Sequence, residues 1–247
     1  MSRVLVASGV SRRYRGASRP AIRDISFAVQ PGRTLAVVGE SGAGKSTLAR
    51  IVAGLEAPDA GSVTLGGEPV RLRPGRVSPI QMVFQNPFDA LNPLRSIRAS
   101  VAEPLRRERA GERRRRVAHA LERVGLDPRR GDQRPAAFSG GQLQRVVLAR
   151  ALAADPAVLL CDEPTSSLDV SVQAQVVNLL LELQETQGFA CVLVTHDLGV
   201  ARVLADEVMV LRHGEVAEHR PAAELFADPG DAYTRELLAA EHPAPVC

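Results

Sequence analysis

Lysine is almost absent from this sequence of 247 residues. Of its 31 basic residues only Lys45 is a lysine, and all the others are arginines. A chain with this strong preference for arginine keeps a compact ammonium group at one position, where a planar guanidinium would fit poorly. The scarcity singles out Lys45 as a candidate functional residue.

Cysteines and long apolar runs are also scarce. The three cysteines lie far apart at Cys161, Cys191 and Cys247, and the first two fall in apolar, strand-like runs. This favours buried, reduced thiols over metal ligands or a disulfide. No apolar run approaches the roughly 20 residues of a membrane span, and the sequence begins without a secretory signal. We therefore expect a chain of the cytosol.

A strong charge imbalance is missing as well. The net charge is +3, with 31 basic and 28 acidic residues, so the composition lacks the basic excess of a nucleic-acid-binding protein. The hydrophobic fraction of 45% is ordinary for a globular chain. Neither repeats nor low-complexity linkers interrupt the sequence.

The most informative stretch present is a glycine-rich loop, Gly39–Thr47. The apolar run Leu35–Val38 precedes it, and Leu48–Ala53 follows with apolar residues at helical spacing. Between a strand and a helix, this pattern favours a phosphate site over an ordinary turn, because glycines and the helix N-terminus present backbone N–H groups to an anion. Lys45 would reach the β- and γ-phosphates, and the Ser46 hydroxyl would bind Mg²⁺.

A second candidate site follows the apolar run Ala157–Glu163. A run without polar alternation predicts a strand buried on both faces, as in a parallel sheet, whose ligands lie at the carboxyl ends of the strands. Asp162 would hold Mg²⁺, and Glu163 would accept a proton from an attacking water. The alternative is an acidic pair that caps the next helix.

Three weaker signals complete the candidate site. Ser139–Gln142 opens a helix with an N-cap serine and two glycines, a second possible anion site. His196 ends the buried strand Ala190–Thr195, where a γ-phosphate contact competes with a cap or surface role. Tyr14 lies 25 residues before Gly39. It would either stack on a nucleotide base or serve as a half-buried strand aromatic.

The remaining patterns indicate a sheet domain with a helical insertion. Val4–Arg15 and Ile22–Gln30 have strand-like sequences. From Asp89 to Ala137 the character changes to helical segments bracketed by prolines. Its arginine-dense part, Arg106–Arg116, could contact phosphate or lipid, but a solvated helix face with Arg–Glu neighbours is favoured.

Taken together, the motifs resemble the ATP-binding subunit of an ABC transporter from end to end. Gly39–Thr47 matches Walker A, Ala157–Glu163 matches Walker B, and Ser139–Gln142 is similar to the signature. The remaining matches are single residues or short loops: Gln85 in the Q-loop, Ser167–Asp169 in the D-loop, the switch histidine His196, and Tyr14 at the adenine-stacking position. A P-loop kinase is disfavoured by the signature.

The resemblance extends to one subgroup, the importers of dipeptides, oligopeptides and nickel. The similar segments are Val83–Pro93, Ser166–Leu180 and Tyr233–Ala240. Two departures weaken the assignment to peptides: Arg134–Ala137 replaces the usual lead into the signature, and Asp231–Ala232 replaces the usual His-Pro. The longer cysteine-bearing tail of some relatives is also missing, so we expect no iron–sulfur cluster.

The resemblance implies an α/β fold of the P-loop NTPase type, with a central mostly parallel sheet, an N-terminal antiparallel β subdomain and an inserted helical subdomain. Residues 1–247 would form one ABC domain, with a core of 1–88 and 155–247 and a helical subdomain of 89–154. It also implies ATP and Mg²⁺ as ligands. The residues that would contact ATP are Tyr14, Gly39, Ser41, Gly42, Gly44, Lys45, Ser46, Thr47, Ser139, Gly140, Gly141, Gln142 and Asp169. Ser46, Gln85 and Asp162 would hold the metal, and Glu163, His196, Lys45 and Gln85 would serve catalysis.

The same resemblance implies partners and a location. A second ATPase subunit, identical or paralogous, would pair head to tail with this one, so that each signature completes the other chain's Walker A site. Two transmembrane permease subunits would hold the pair at the cytoplasmic face of the inner membrane. An external solute-binding protein would act indirectly. The implied function is ATP-driven import of peptides, nickel or a related small solute. The alternative is a soluble ABC ATPase acting on nucleic acid or ribosomes, although no nucleic acid partner is expected.

Overall fold

The computed structural model describes residues 3–166 and 168–241. Within these ranges the chain forms ten strands: β1 Leu5–Arg12, β2 Ile22–Val29, β3 Thr34–Val38, β4 Ala60–Leu65, β5 Glu68–Pro69, β6 Ile80–Val83, β7 Val158–Asp162, β8 Ala190–Val194, β9 Glu207–Arg212 and β10 Glu215–Pro221. The α-helices of the same ranges are α1 Lys45–Val52, α2 Pro87–Ala90, α3 Ile97–Val101, α4 Ala110–Arg123, α5 Gly140–Ala153, α6 Val170–Gln187, α7 Leu198–Leu204, α8 Ala222–Ala227 and α9 Ala232–Glu241.

The chain divides into two compact units. The first takes the described parts of Met1–Leu72 and Ala190–Cys247, and the second takes the described part of Arg73–Phe189. The finer subdivision expected from the sequence, with a helical subdomain over 89–154, stays a prediction.

The first unit contains an antiparallel sheet in the strand order β2-β1-β4-β5. Leu5 of β1 pairs with Val29 on one side and with Leu65 on the other. Ile25, Phe27 and Val29 are buried along β2, whereas the residues between them are exposed. This alternation has the period of two of a strand with one face on the core. It confirms the strand expected over Ile22–Gln30, which ends at Val29 in the structure.

The first unit also contains a mainly parallel sheet with β3 at its centre. Strands β8 and β9 flank β3 in parallel, and β10 pairs with β9 in the antiparallel sense. Every residue of β3 and of β8 is buried. Burial on both faces explains why these strands have uninterrupted apolar sequences. The polar loops therefore lie at the carboxyl ends of these strands.

The second unit joins a parallel pair of strands to a cluster of helices. Strand β6 pairs with β7, in a register that sets Val83 opposite Cys161. Helix α5 packs against α3, α4 and α6, and it buries Leu143, Val146 and Val147 completely. The expected α/β fold, with parallel strands, an N-terminal antiparallel sheet and a group of helices, is confirmed.

Two smaller expectations are confirmed, one for the arginine-dense stretch and one for two of the cysteines. Most of the arginine-dense stretch lies on or beside α4, where ion pairs join Arg115 to Glu112 and Arg116 to Glu108. Cys161 and Cys191 are buried and are not disulfide-bonded, and Cys247 lies outside the described residues. Among the residues that the structure describes, no helix is both long enough and apolar enough to cross a membrane.

Candidate nucleotide site

The glycine loop joins β3 to α1 and is held tightly from two sides. Gly39 has φ 144° and Gly44 has φ 104°. A Cβ on Gly39 would lie 2.2 Å from the Leu211 carbonyl oxygen, and one on Gly44 would lie 2.4 Å from the Ala21 carbonyl oxygen. Only glycine therefore permits both the backbone conformation and the close approach.

Lys45 lies across this loop. Its Nζ donates hydrogen bonds to the Gly39 carbonyl at 2.6 Å and the Glu40 carbonyl at 3.0 Å. The residue is only 7% exposed, so its cation is held close to the backbone of the loop. Since Lys45 is also the first residue of α1, a positive charge lies at the positive end of the helix dipole.

The N-terminus of α1 suits an anionic ligand. Gly44, the N-cap residue, provides no side-chain acceptor for the first N–H groups, and the first turn contains no acidic residue. Ser41, Gly42 and Ser46 are exposed at the loop. N–H groups at a helix N-terminus without a side-chain cap, a fixed ammonium and an exposed hydroxyl are the groups that bind a phosphate chain and its metal. The residues present therefore fit a nucleotide.

The Tyr14 hydroxyl is tied to the loop helix. It donates a hydrogen bond to Glu56 Oε2 at 2.8 Å and lies 3.3 Å from Thr47 Oγ1. Arg50 joins the same network, because its Nε donates to Glu56 Oε1 at 2.6 Å. The hydrogen bond with the Tyr14 hydroxyl, reinforced by the charge of Glu56, raises the pKa of Arg50. Sequence patterns missed Glu56 and Arg50, because no local motif marks their link to Tyr14.

His196 follows β8 at the same edge of the sheet as the glycine loop. The register pairs Val37 with Val194, so Gly39 and His196 each lie two residues beyond paired positions of neighbouring parallel strands. Thr195 keeps the strands together at this edge by donating its N–H to the Val37 carbonyl. Asp197 then caps α7 by accepting from the Val200 N–H at 2.9 Å. The sheet therefore places the exposed His196 beside the loop.

In the second unit, the structure brings Gln85 and Glu163 together. Gln85 Nε2 donates a hydrogen bond to Glu163 Oε2 at 3.0 Å. Glu163 has φ 49°, a left-handed conformation that is uncommon outside glycine and is often found at functional sites. Asp162, the last residue of β7, is half-buried. The two carboxylates therefore lie at the carboxyl end of a parallel strand, as the sequence predicts.

The signature-like segment begins α5 through a capping box. Ser139 Oγ accepts from the Gln142 N–H, and Gln142 Oε1 accepts from the Ser139 N–H. Gly141 has a separate structural reason to be glycine, because a Cβ there would lie 2.3 Å from Val172 Cγ1 of α6. Asp169 caps α6, and the Val172 N–H, its main hydrogen-bond donor, lowers the pKa of Asp169. Ser167 lies outside the described residues.

The candidate residues fall into two groups, one in each unit. The first unit carries Tyr14, Gly39, Ser41, Gly42, Gly44, Lys45, Ser46, Thr47 and His196, and the second carries Gln85, Ser139, Gly140, Gly141, Gln142, Asp162, Glu163 and Asp169. Within each group, the predicted site residues lie at strand ends, in the loops that follow the strands, or at the N-termini of helices. Their individual roles in nucleotide chemistry stay predictions.

Comparison with known proteins agrees with this geometry. Residues 22–166, more than half of the chain, match the family described as ABC transporter. A di/tripeptide transport ATP-binding protein, DppF of Pseudomonas aeruginosa, is 45% identical over 99% of this chain and 82% of its own length. An oligopeptide transport ATP-binding protein, OppF of Bacillus subtilis, is 42% identical over 89% of this chain and 75% of its own length.

A solved structure shows the same fold. The ATP-binding cassette MJ0796, in a dimeric post-hydrolysis state bound to ADP and Pi, is 32% identical with a TM-score of 0.77. The similarity covers 88% of this chain and 98% of that one. A P-loop fold with a phosphate loop and an acidic strand end defines a nucleotide-binding ATPase. This chain belongs to the ABC transporter family and is an ATP-hydrolysing subunit of an importer.

Proposed function

We propose that the chain drives import of peptides, or of a related small solute such as nickel, by binding and hydrolysing ATP. The observation that carries the proposal is the glycine loop closed by the buried Lys45. The choice of cargo is supported by relatives named for di/tripeptide and oligopeptide transport. No observation favours the alternative of an ATPase that acts on nucleic acid or ribosomes.

The nucleotide would be ATP with Mg²⁺. Lys45 and the loop amides would neutralise the β- and γ-phosphates, and the Tyr14 ring would stack on adenine. Ser46, Gln85 and Asp162 would hold Mg²⁺, which offsets phosphate charge when bound. Glu163 would take the proton of the attacking water, and His196 would contact the γ-phosphate.

We further propose that two ATPase subunits form one working pair, head to tail. Ser139, Gly140, Gly141 and Gln142 of each would complete the phosphate site of the other, and Asp169 would reach across the interface. The exposed position of Ser139 and Asp169 is compatible with such a contact. The dimeric state of the cassette MJ0796 supports the pairing.

The pair would work at the cytoplasmic face of the inner membrane, as a peripheral part of a complex with two permease subunits. An external solute-binding protein would deliver the cargo. Gln85 would transmit changes between the permease and the catalytic carboxylate, since it is hydrogen-bonded to Glu163.

Reconstitution tests this function. The chain is co-purified with candidate permease subunits and its partner ATPase, and the complex is placed in vesicles with the binding protein on the side opposite ATP. We expect ATP-dependent uptake of di- or oligopeptides, with none in the matched Glu163→Gln complex. Uptake of nickel alone would reassign the cargo. Failure to associate with any permease, together with retention on ribosomes or DNA, would contradict the proposal.

A further inference from the structure

A tyrosine near the C-terminus contacts the glycine loop directly. Tyr233, on α9, is only 4% exposed. Its hydroxyl accepts a hydrogen bond from the Glu40 backbone N–H at 3.2 Å. The guanidinium of Arg212 lies 4.6 Å from the centroid of its ring, a cation–π distance that holds the ring in place.

The turn between β9 and β10 supports the same loop from another direction. The Gly214 N–H donates to the Ala43 carbonyl at 3.1 Å. The Leu211 carbonyl oxygen lies so close to Gly39 that no side chain fits between them. We call these three contact residues, Leu211, Gly214 and Tyr233, the loop brace. All belong to the C-terminal part of the first unit.

Both backbone groups of Glu40 are held. Its N–H donates to Tyr233, while its carbonyl accepts from Lys45 Nζ at 3.0 Å. Rotation of this residue would therefore break the contact with Tyr233 and also move an acceptor that positions the Lys45 ammonium. The hydroxyl of Tyr233 is linked in this way to the main cation of the phosphate site, although it is not expected to touch the nucleotide.

The position of Tyr233 depends on the start of α9. Asp231 Oδ1 accepts from the N–H groups of Tyr233 at 2.8 Å and Thr234 at 3.3 Å. The buried Glu218 accepts in turn from the N–H groups of Gly230 at 2.8 Å and Asp231 at 3.1 Å. Burial alone would raise the pKa of Glu218, but these bonds hold it below its usual value. Asp231, which departs from the subgroup's usual His-Pro, is thus the N-cap that orients Tyr233.

We propose that Tyr233 is a positioning residue that keeps the phosphate loop in its nucleotide-accepting shape, and that Asp231 acts through it. The proposal rests on the proposed function in one respect, that the loop binds ATP. Without the loop brace, ATP binding would have to order the phosphate loop. The free energy needed for this ordering would weaken the affinity for ATP. Turnover at saturating ATP would change little, because the acidic residues of the second unit are untouched.

Tyr233→Phe is the decisive variant, because it keeps the ring and its contact with Arg212 but removes the acceptor for Glu40. We expect the Kd for ATP to rise about three- to tenfold, since the part-buried N–H of Glu40 loses its partner, with kcat within about twofold. Glu236→Ala is the control on the same helix. It alters an exposed side chain of α9, and should leave the Kd unchanged.

Hydrogen exchange of the Glu40 amide separates positioning from general packing. In the wild type we expect protection of this amide, and in Tyr233→Phe about tenfold faster exchange. Asp231→Ala should act in the same direction, Asp231→Asn should restore the wild-type Kd, and Asp231→Ala should add little to Tyr233→Phe. An unchanged Kd in Tyr233→Phe, or fast exchange of Glu40 in the folded wild type, would overturn the proposal.

Different results would contradict the proposed function and the positioning role of Tyr233. If the wild type does not bind ATP, the proposed function is wrong, while exchange at Glu40 still decides whether Tyr233 holds the loop. If Tyr233→Phe does not fold, the wild-type exchange measurement and the Asp231→Ala and Asp231→Asn pair give the answer.

Discussion

Gln85, two residues beyond the end of β6, donates its side-chain N–H to the carboxylate of Glu163, the residue after β7. The parallel register that pairs Val83 with Cys161 produces this contact, because each of the two residues lies two positions further along its strand. A displacement of the Gln85 loop would therefore be transmitted to the carboxylate that we expect to act as the base.

Glu163→Gln should abolish chemistry and leave binding intact. The glutamine retains an oxygen that accepts the bond from Gln85, but it cannot take the proton of water, so turnover should fall by about 10²–10⁴. ATP affinity should survive, and the subunits should accumulate as a closed pair. Steady-state ATPase assays and size-exclusion chromatography with Mg-ATP test this, using the partner ATPase if the pair is heteromeric.

Two results would count against this interpretation. Wild-type turnover in Glu163→Gln would show that Glu163 is not the base. A species that stays monomeric with every candidate partner would show that the site is not shared between two chains.

Ser139→Arg, added to Glu163→Gln, should abolish the ATP-dependent pair, because a bulky cation would replace a small donor at the partner's phosphate. Ser139 also caps α5, so the variant should lose about 1 kcal/mol of stability as well. Ser139→Ala removes the cap without the bulk, and it serves as the matched control in chromatography and thermal melts. Equal loss of pairing in both variants would attribute the effect to the missing serine hydroxyl, and not to the bulk of arginine.

Lys45→Ala and Lys45→Arg should both remove nucleotide binding and hydrolysis. Lys45 is enclosed at 7% exposure between two loop carbonyls, and a planar guanidinium is too large to make the same point contacts. Nucleotide titration and ATPase assays on the complete transporter measure the effect, with circular dichroism to confirm folding. Wild-type activity of Lys45→Arg would refute the assigned role.

Variants of Tyr14 should distinguish the contribution of its ring to ATP binding from that of its hydroxyl. Tyr14→Ala should weaken ATP binding by about 1–2 kcal/mol if the ring stacks on adenine, whereas Tyr14→Trp should remain near normal. Tyr14→Phe loses the bond to Glu56 but keeps the ring, so we expect a loss clearly smaller than that of alanine. Titration with ATP measures each variant. Equal losses for alanine and phenylalanine would assign Tyr14 to holding α1 through Glu56 and Thr47.

Substitution by alanine should reduce the stability of the protein to different degrees at two glycines of the phosphate loop. Both have positive φ, but a Cβ on Gly42 meets nothing within 4 Å, whereas one on Gly44 meets the Ala21 carbonyl at 2.4 Å. Gly42→Ala should therefore lose about 1 kcal/mol and Gly44→Ala about 3 kcal/mol. Thermal denaturation gives the comparison. Equal shifts in melting temperature would show that backbone strain alone, and not the clash, limits this loop.

The local patterns of the sequence determine much of this protein. The strand, glycine loop and helix around Lys45 are specified within 20 residues, because each element depends on its own periodicity and on glycines with positive φ. The strand β2 follows from alternation and the start of α5 from a capping serine, whereas the capping role of Asp169 at α6 emerges only from the structure. The short helices α7 and α8 are not predicted, since one or two turns carry too little periodicity to stand out from a loop.

The tertiary structure alone decides which distant groups meet. The hydroxyl of Tyr14 is hydrogen-bonded to Glu56, which lies 42 residues away in the sequence. The corresponding separation is 78 residues for Gln85 and Glu163, and 193 residues for Tyr233 and the Glu40 backbone. These contacts depend on strand order and register, which bring chain segments together over separations that no local pattern encodes. The sequence by itself therefore determines which residues are the candidates for phosphate binding, whereas the fold determines what holds those residues in place.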